Sequence, residues 1–195
     1  MTTGAIIQAR RSSKRFPDKV LKNLPYNSNY TVLKQVICRV KTSKRVNDIV
    51  VATTTLEEDG LIVKIANEEN VKWFRGSCDN VLERFYLAAK DNKFDTIVRI
   101  TADCPCIDPE VIDFVIGQYE EAQIDFASNA LERTFPHATD VEVLRFRALE
   151  DAYREATEMF EKEHVCPYIY RTRPELFKIQ AVKAKPEWQI GRAHV

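Results

Sequence analysis

The chain has 195 residues, of which 45% are hydrophobic, enough to bury the core of one domain. Its 29 basic residues balance its 29 acidic residues, so the composition indicates neither a nucleic-acid track nor attraction to an anionic membrane. Five scattered cysteines, no apolar run long enough to span a membrane and no signal peptide predict a reduced, cytoplasmic protein.

Strand and helix patterns alternate along roughly the first 120 residues. Apolar, β-branched runs predict strands at 5–7, 48–53, 71–74 and 96–100. Apolar residues spaced three and four apart predict helices at 32–40, 57–69, 81–89 and from Pro109 onward. Ser77 or Asp79 is expected to cap the third of these helices. This alternation predicts an α/β fold with a mostly parallel sheet flanked by helices on both faces.

The second half of the chain is less regular. Its pattern predicts strands at 124–127, 141–144 and 176–182, helices at 146–157 and 161–170, and a loop at 131–140. By analogy between folds, an irregular segment that follows a nucleotide-binding half often accommodates a second substrate.

A basic loop follows the first predicted strand. It contains five basic residues against one acid, Asp18; the bases are Arg10, Arg11, Lys14, Arg15 and Lys19. Arginine, lysine and serine side chains suit the oxygens of a triphosphate, and ligands of parallel sheets lie beyond the carboxyl ends of the strands. The alternative is a solvated basic loop, because neither a Walker nor a dinucleotide glycine pattern is present. The loop alone does not decide between the two.

Asp103 follows the fourth predicted strand. A carboxylate at the carboxyl end of a strand can hold Mg²⁺ together with substrate phosphates. The alternative is an aspartate that forms a turn or caps a helix. Because Asp103 and the basic loop are predicted at the same sheet edge, the pair favours a metal–nucleotide site.

Several motifs occur in one order along most of the chain. They are Ile7-Gln8-Ala9-Arg10 with Ser13, Arg15, Pro17 and Lys19-Val20-Leu21, then Val51-Ala52-Thr53, Arg75-Gly76-Ser77, Val81-Leu82 with Arg84, Arg99-Ile100-Thr101 with Asp103 and Pro105, Ser128-Asn129, Asp140-Val141-Glu142-Val143 and Glu163-His164-Val165. This set resembles the cytidylyltransferases of spore-coat polysaccharide biosynthesis, a family related to the acylneuraminate and Kdo cytidylyltransferases.

The resemblance implies a nucleotide-diphosphosugar transferase (Rossmann-like) fold, CTP or another nucleoside triphosphate as substrate, and Mg²⁺ as cofactor. A sugar hydroxyl would attack the α-phosphate of CTP, giving a nucleotide-sugar for surface polysaccharide and pyrophosphate. By matching position, the nucleotide-binding candidates are Arg10, Ser13, Arg15, Lys19 and Ser77. Asp103 would ligate the metal and would form the catalytic set with Arg10 and Lys19, because cations and a metal neutralise phosphoryl charge.

Three residues are candidates for the sugar side: Asp140, Glu142 and His164. A carboxylate binds sugar hydroxyls or helps to deprotonate the attacking one, and a histidine does the same near neutral pH. The alternative for Glu163-His164 is a helix start and a packed or surface histidine.

We expect one domain over 1–188, with a nucleotide half at about 1–122 and a sugar and dimerisation half at about 123–188. The resemblance favours a homodimer.

Four positions depart from the resembled pattern. Ser12, Asp18 and Ala138 stand where the family usually has glycine, and Asn80 stands at a usual acid. Glycine accepts positive φ and lets the backbone approach a phosphate closely. Ser12 is therefore expected to restrict that approach, and Asp18 is expected to place a negative charge near the phosphate.

The ending 189–195 resembles a translated sequencing adapter. We therefore expect a non-native tail, from which His194 is excluded as a site residue, and a longer natural protein whose missing segment carries a second metal-binding Asp.

Two other functions are open from the sequence. A glycosyltransferase of the same fold would use a nucleotide-sugar donor, although Asp103 beside Cys104 and Pro105 lacks the usual D-x-D metal motif. A non-catalytic nucleotide-binding or assembly protein would bind CTP without releasing pyrophosphate. The sequence favours a Mg²⁺-dependent cytidylyltransferase that moves CMP from CTP to a sugar acid or related sugar.

Overall fold

The computed structural model describes residues 1–13 and 16–188. In this part of the chain seven strands form one sheet in the order β3-β2-β1-β4-β6-β5-β7. The strands are β1 (Thr3–Gln8), β2 (Asp48–Thr54), β3 (Lys72–Gly76), β4 (Thr96–Thr101), β5 (Phe126–Ser128), β6 (Glu142–Arg145) and β7 (Ile179–Ala181). Strands β1 to β4 are parallel, whereas β6 runs antiparallel to both of its neighbours. The predicted mostly parallel, mixed sheet is confirmed.

Helices cover both faces of this sheet. They are α1 (Val32–Lys41), α2 (Gly60–Glu68), α3 (Val81–Asp91), α4 (Pro109–Ala122), α5 (Phe146–Glu155) and α6 (Met159–His164). Alternate residues of β1 enter different cores: Ile7 packs with α1, α2 and α4, whereas Ile6 packs with α3 and α5. This alternation follows from the two-residue period of a strand buried on both faces.

Several predicted element boundaries are wrong, and the strands predicted at 124–127 and 176–182 are β5 (Phe126–Ser128) and β7 (Ile179–Ala181). Helix α2 begins at Gly60, because Glu57–Asp59 forms a 3-10 turn. The cap of α3 is Asn80, whose side chain accepts the N–H of Glu83 at 3.0 Å, and not Ser77 or Asp79. The predicted helix at 161–170 is interrupted, since α6 ends at His164 and a separate π-helical turn follows.

The five cysteines all lie within the described residues and form no disulfide. Burial raises the pKa of the Cys104 thiol and raises that of Cys166 well above its usual range, so both behave as packed apolar side chains. Across residues 1–13 and 16–188, no helix combines the length and the hydropathy needed to cross a bilayer.

Candidate active site

A cavity of about 480 Å³ opens at the carboxyl ends of β1 and β4. These two strands are adjacent and parallel, with Gln8 paired to Thr101, so the segments that follow them begin side by side. Five of the residues predicted from the sequence line this cavity: Arg10, Ser13, Lys19, Asp103 and His164. The structure therefore brings together the basic loop, the residue after β4 and the end of α6.

The loop after β1 is anchored by Arg11. The backbone N–H of Arg11 donates to Asp59 Oδ1 at 2.9 Å, and its side chain donates to the Glu58 carbonyl at 3.0 Å. Asp59 is fully buried and also accepts the hydroxyl of Thr54 at the end of β2. Arg11 and Asp59 thus fix the loop to the neighbouring strand, a role that sequence reasoning missed because the two residues are 48 positions apart.

Asp18 has a backbone φ of 56° and ψ of 17°, in the left-handed region that glycine favours and aspartate tolerates. The hydrogen bond from Arg11 and the charge of Arg11 outweigh desolvation and hold the pKa of the Asp18 carboxyl below its usual range. The charge that Asp18 was expected to place near the phosphate is thus compensated by Arg11. Ser12 is not among the positive-φ residues of the described chain, so a serine fits the backbone there.

Lys19 and Asp103 form an ion pair across the cavity. Lys19 begins the 3-10 turn Lys19–Leu21, and Asp103 lies in the turn that follows β4. Burial raises the pKa of Asp103, but the hydrogen bond and charge of Lys19 outweigh it and leave the pKa lowered. Asp103 is therefore a carboxylate at neutral pH. Both side chains are part-exposed, so a ligand in the cavity can reach them.

Asp103 supplies the kind of oxygen donor that Mg²⁺ takes in proteins. Over residues 1–13 and 16–188, however, no group of three or more His, Cys, Asp or Glu side chains is arranged to hold a metal ion. One carboxylate together with phosphate oxygens and water is a common Mg²⁺ environment. Asp103 thus fits a metal that arrives with a nucleotide, and does not form part of a preformed metal cage.

Helix α6 closes the far side of the cavity with Glu163 and His164, and Glu163 Oε1 lies 3.6 Å from an Arg10 guanidinium nitrogen. The helix ends there because Val165 adopts φ 74° and ψ −59°, while the Cys166 N–H donates to the His164 carbonyl at 2.9 Å. This is a strained γ-turn, and the complete burial of Val165 holds it in place. The turn ends the helix at the two residues that line the cavity.

Asp140 and Glu142 do not line the cavity with His164. Glu142 is paired with Arg99 of β4, and Arg99 also donates to Gln8 Oε1 at 3.0 Å. Burial lowers the pKa of Arg99, but Glu142 outweighs it and the pKa is raised. Asp140 receives two hydrogen bonds from Arg133, at 3.1 and 3.3 Å. Contact of either carboxylate with a sugar stays a prediction.

Two nucleotide-binding candidates are not part of the observed lining. Arg15 lies outside the described residues, as do residues 189–195 with the predicted tail. Ser77 follows β3, and its hydroxyl accepts the Asn80 N–H at 3.0 Å, which helps to begin α3. The assignment of Ser77 to the nucleotide stays a prediction.

Comparison with known proteins gives the same family as the motifs. A profile of the cytidylyltransferase family matches residues 4–192. An uncharacterized protein of Methanocaldococcus jannaschii is 42% identical over 174 residues, which cover 89% of this chain and 69% of that protein. The spore coat polysaccharide biosynthesis protein SpsF of Bacillus subtilis is 33% identical over 189 residues, which cover 92% of this chain and 74% of SpsF.

A solved structure gives the same result at the level of the fold. The cytidylyltransferase from Leptospira borgpetersenii serovar Hardjo-bovis superposes with a TM-score of 0.87 and is 34% identical in sequence. The match covers 95% of this chain and 77% of the Leptospira protein, which confirms the expected nucleotidyltransferase fold. With the profile covering nearly all of its length, the chain belongs to the cytidylyltransferase family.

Proposed function

We propose that this chain transfers a cytidylyl group from CTP to a hydroxyl of a sugar acid or related sugar and releases pyrophosphate. One observation carries the proposal: Arg10, Ser13 and Lys19 share a cavity with Asp103 at the edge of the parallel strands. The cations and the hydroxyl suit phosphate oxygens, and the carboxylate suits the accompanying metal. The name of the SpsF relative supports surface polysaccharide as the destination of the product.

Among the described residues, each lysine or arginine of the lining is paired with a carboxylate: Arg10 with Glu163, Lys19 with Asp103 and Arg99 with Glu142. The first two pairs are partly exposed, and ion pairs of that kind are weak. A triphosphate brings several negative charges, so it can draw Arg10 and Lys19 away from their partners. Arg99 lines the cavity and stays paired with Glu142, which is buried outside the lining.

The reaction forms one bond to the α-phosphorus and breaks another. The sugar oxygen attacks this phosphorus, and pyrophosphate leaves with the electrons of the bond between the phosphorus and the bridging oxygen. Arg10 and Lys19 neutralise the charge that spreads over the phosphate oxygens. Asp103 would hold Mg²⁺, and the metal, when bound, would supply further charge neutralisation. His164 accepts the proton of the attacking hydroxyl, a task suited to an imidazole at neutral pH.

Pyrophosphate release tests the proposal. The assay uses CTP, Mg²⁺ and a panel of sugar acids and amino sugars, with wild type, Lys19→Ala, Asp103→Ala and the control Lys64→Ala. Lys64 lies on α2 with an exposed side chain that is not part of the cavity lining. We expect acceptor-dependent release that falls at least about 100-fold in the two site variants, because each removes a charge at the phosphates, and that is unchanged in the control.

Other outcomes identify the alternative functions. Tight CTP binding without pyrophosphate release would indicate a nucleotide-binding or assembly protein. Transfer from a nucleotide-sugar donor would indicate a glycosyltransferase. Release that does not depend on Lys19 or Asp103 would place the reaction outside this cavity and contradict the proposal.

A further inference from the structure

Arg84 of α3 is completely buried, yet it forms no ion pair with any carboxylate in the described part of the chain. One guanidinium nitrogen donates to the Ser77 carbonyl. The other two, Nε and NH2, have no hydrogen-bond partner among the described residues. Burial, followed by repulsion from Arg10, lowers the pKa of Arg84 to about 10, so the side chain is still charged at neutral pH.

A buried charge without a partner is costly, and such a group calls for an explanation such as an anionic ligand whose charge compensates it. The surrounding chain makes room for Arg84. A Cβ added at Gly76 would lie 3.2 Å from Arg84 Cγ and 2.9 Å from Phe74 Cε1, so only glycine leaves space for the arginine stem. The motif Arg75-Gly76-Ser77 therefore accommodates Arg84 with its glycine and binds it with the carbonyl of its serine.

Arg84 lies just behind the candidate phosphate site. Val81, one helical turn earlier on α3, lines the cavity, and Arg10 lines it too. Asp59 attracts Arg84 without forming an ion pair with it, and Asp59 already accepts the N–H of Arg11. The charge of Arg84 therefore reaches Arg10 and the cavity largely uncompensated.

We propose that Arg84 is a positioning residue for a polyanionic ligand, the triphosphate of the nucleotide. Its fixed charge repels Arg10 toward the cavity and adds a long-range attraction for the phosphates, which a low-dielectric surrounding strengthens. Arg84 does not need to touch the ligand for either effect. The inference rests on the proposed function, because the triphosphate is taken as the ligand of the cavity.

The test compares Arg84→Met, Arg84→Lys and the control Arg147→Met, an exposed arginine on α5. Calorimetric titration measures binding of CTP, cytidine and inorganic tripolyphosphate, and urea unfolding measures stability. We expect Arg84→Met to bind CTP and tripolyphosphate about tenfold more weakly or worse, with cytidine binding unchanged. Its unfolding midpoint should not fall, because an uncompensated charge has been removed. Arg84→Lys should keep most of the affinity, and the control all of it.

Unchanged CTP binding by Arg84→Met would overturn the proposal, as would an equal loss for CTP and cytidine or a variant that fails to fold. The first result would show that Arg84 has no role in binding, the second that it acts on the base, and the third that its role is purely structural. A wild-type protein that binds tripolyphosphate but not CTP would contradict the proposed function, while tripolyphosphate would still decide the role of Arg84. Binding of neither ligand by wild type would overturn both proposals.

Discussion

Asp18 and Arg11 hold the two ends of the candidate phosphate loop together. Arg11 Nε lies 2.7 Å from Asp18 Oδ1, and the Asp18 N–H donates to the Arg11 carbonyl at 3.2 Å. The left-handed backbone of Asp18 comes directly before Lys19, which lines the cavity. The two ends of this loop, which contains no glycine, are thus joined by an ion pair and by one aspartate that tolerates positive φ.

Substitutions at Asp18 separate the contribution of the ion pair with Arg11 from that of the left-handed backbone. Asp18→Gly removes the ion pair but accepts the left-handed backbone, whereas Asp18→Ala loses the ion pair and strains the backbone as well. We expect CTP affinity to fall further in Asp18→Ala than in Asp18→Gly, by up to about tenfold, as measured by calorimetric titration. Equal affinities of the two variants would show that the backbone turn at Asp18 does not matter for binding.

Ala138 has a backbone φ of 68°, at a position where the resembled family usually has glycine. Ala138→Gly relieves the clash of Cβ with the following carbonyl, and we expect the free energy of unfolding to rise by about 1 kcal/mol in urea titration. The control is Ala130→Gly, since Ala130 is not among the positive-φ residues of the described chain. There we expect a loss of about 0.5–1 kcal/mol. A loss of stability at both positions would contradict the account of Ala138.

Arg99 lines the cavity, and its partner Glu142 is buried outside the lining. Glu142→Gln leaves Arg99 without its counter-charge, so we expect the free energy of unfolding to fall by about 3 kcal/mol. The double variant Arg99→Met, Glu142→Leu should recover much of this loss, because neither charge is then left unpaired. If Glu142→Gln is as stable as wild type but loses activity toward the sugar, Glu142 is a sugar ligand and not a support for Arg99.

Glu163 competes with a phosphate for Arg10, since the two side chains are 3.6 Å apart in the cavity. Glu163→Gln removes this competition, and we expect the KM for CTP to fall about two- to fivefold, consistent with the weakness of exposed ion pairs. The control is Glu132→Gln, in which an exposed carboxylate paired with Lys183 is lost outside the cavity lining. A KM for CTP that rises in Glu163→Gln would show that the carboxylate helps to bind the nucleotide.

The Lys19–Asp103 pair makes stability depend on pH in one direction. The pKa of Asp103 is lowered in the folded state, so its contribution is present above the pKa of the unfolded chain and is lost as pH falls through the folded value. An unfolded aspartate titrates near about 3.9, so the loss is expected below about pH 4. Urea unfolding between pH 5 and pH 2.5 should show a steeper loss in wild type than in Asp103→Asn. Parallel curves would mean that the ion pair contributes nothing to stability.

The fold of about the first 122 residues follows from local patterns. The central strands are uninterrupted buried runs, such as Val50–Ala52, and each following helix shows apolar residues at helical spacing. Because such a strand is buried on both faces and is followed by a helix, a parallel sheet is the arrangement that fits. The meeting of the basic loop with Asp103 follows in turn, since carboxyl ends of parallel strands share one edge.

Long-range contacts determine the parts of the structure that local sequence patterns do not predict. The apolar pattern continues past His164, but packing around buried Val165 stabilises a γ-turn and brings Glu163 to the cavity. Glu142 occupies a strand, and only the fold shows that Arg99 is its partner. The burial of Arg84 is visible in the sequence, because this charged residue lies three residues after Val81 on the apolar stripe of its helix. The homodimer and the two-part domain division stay predictions.

The most direct test of the central claim is a crystal structure of the protein with CTP and Mg²⁺. We expect the triphosphate to lie between the loop at Arg10–Lys19 and Asp103, the Lys19–Asp103 pair to be opened, and Asp103 to contact the metal. A nucleotide bound at another edge of the sheet, or a Lys19–Asp103 pair left intact beside a bound triphosphate, would contradict this claim.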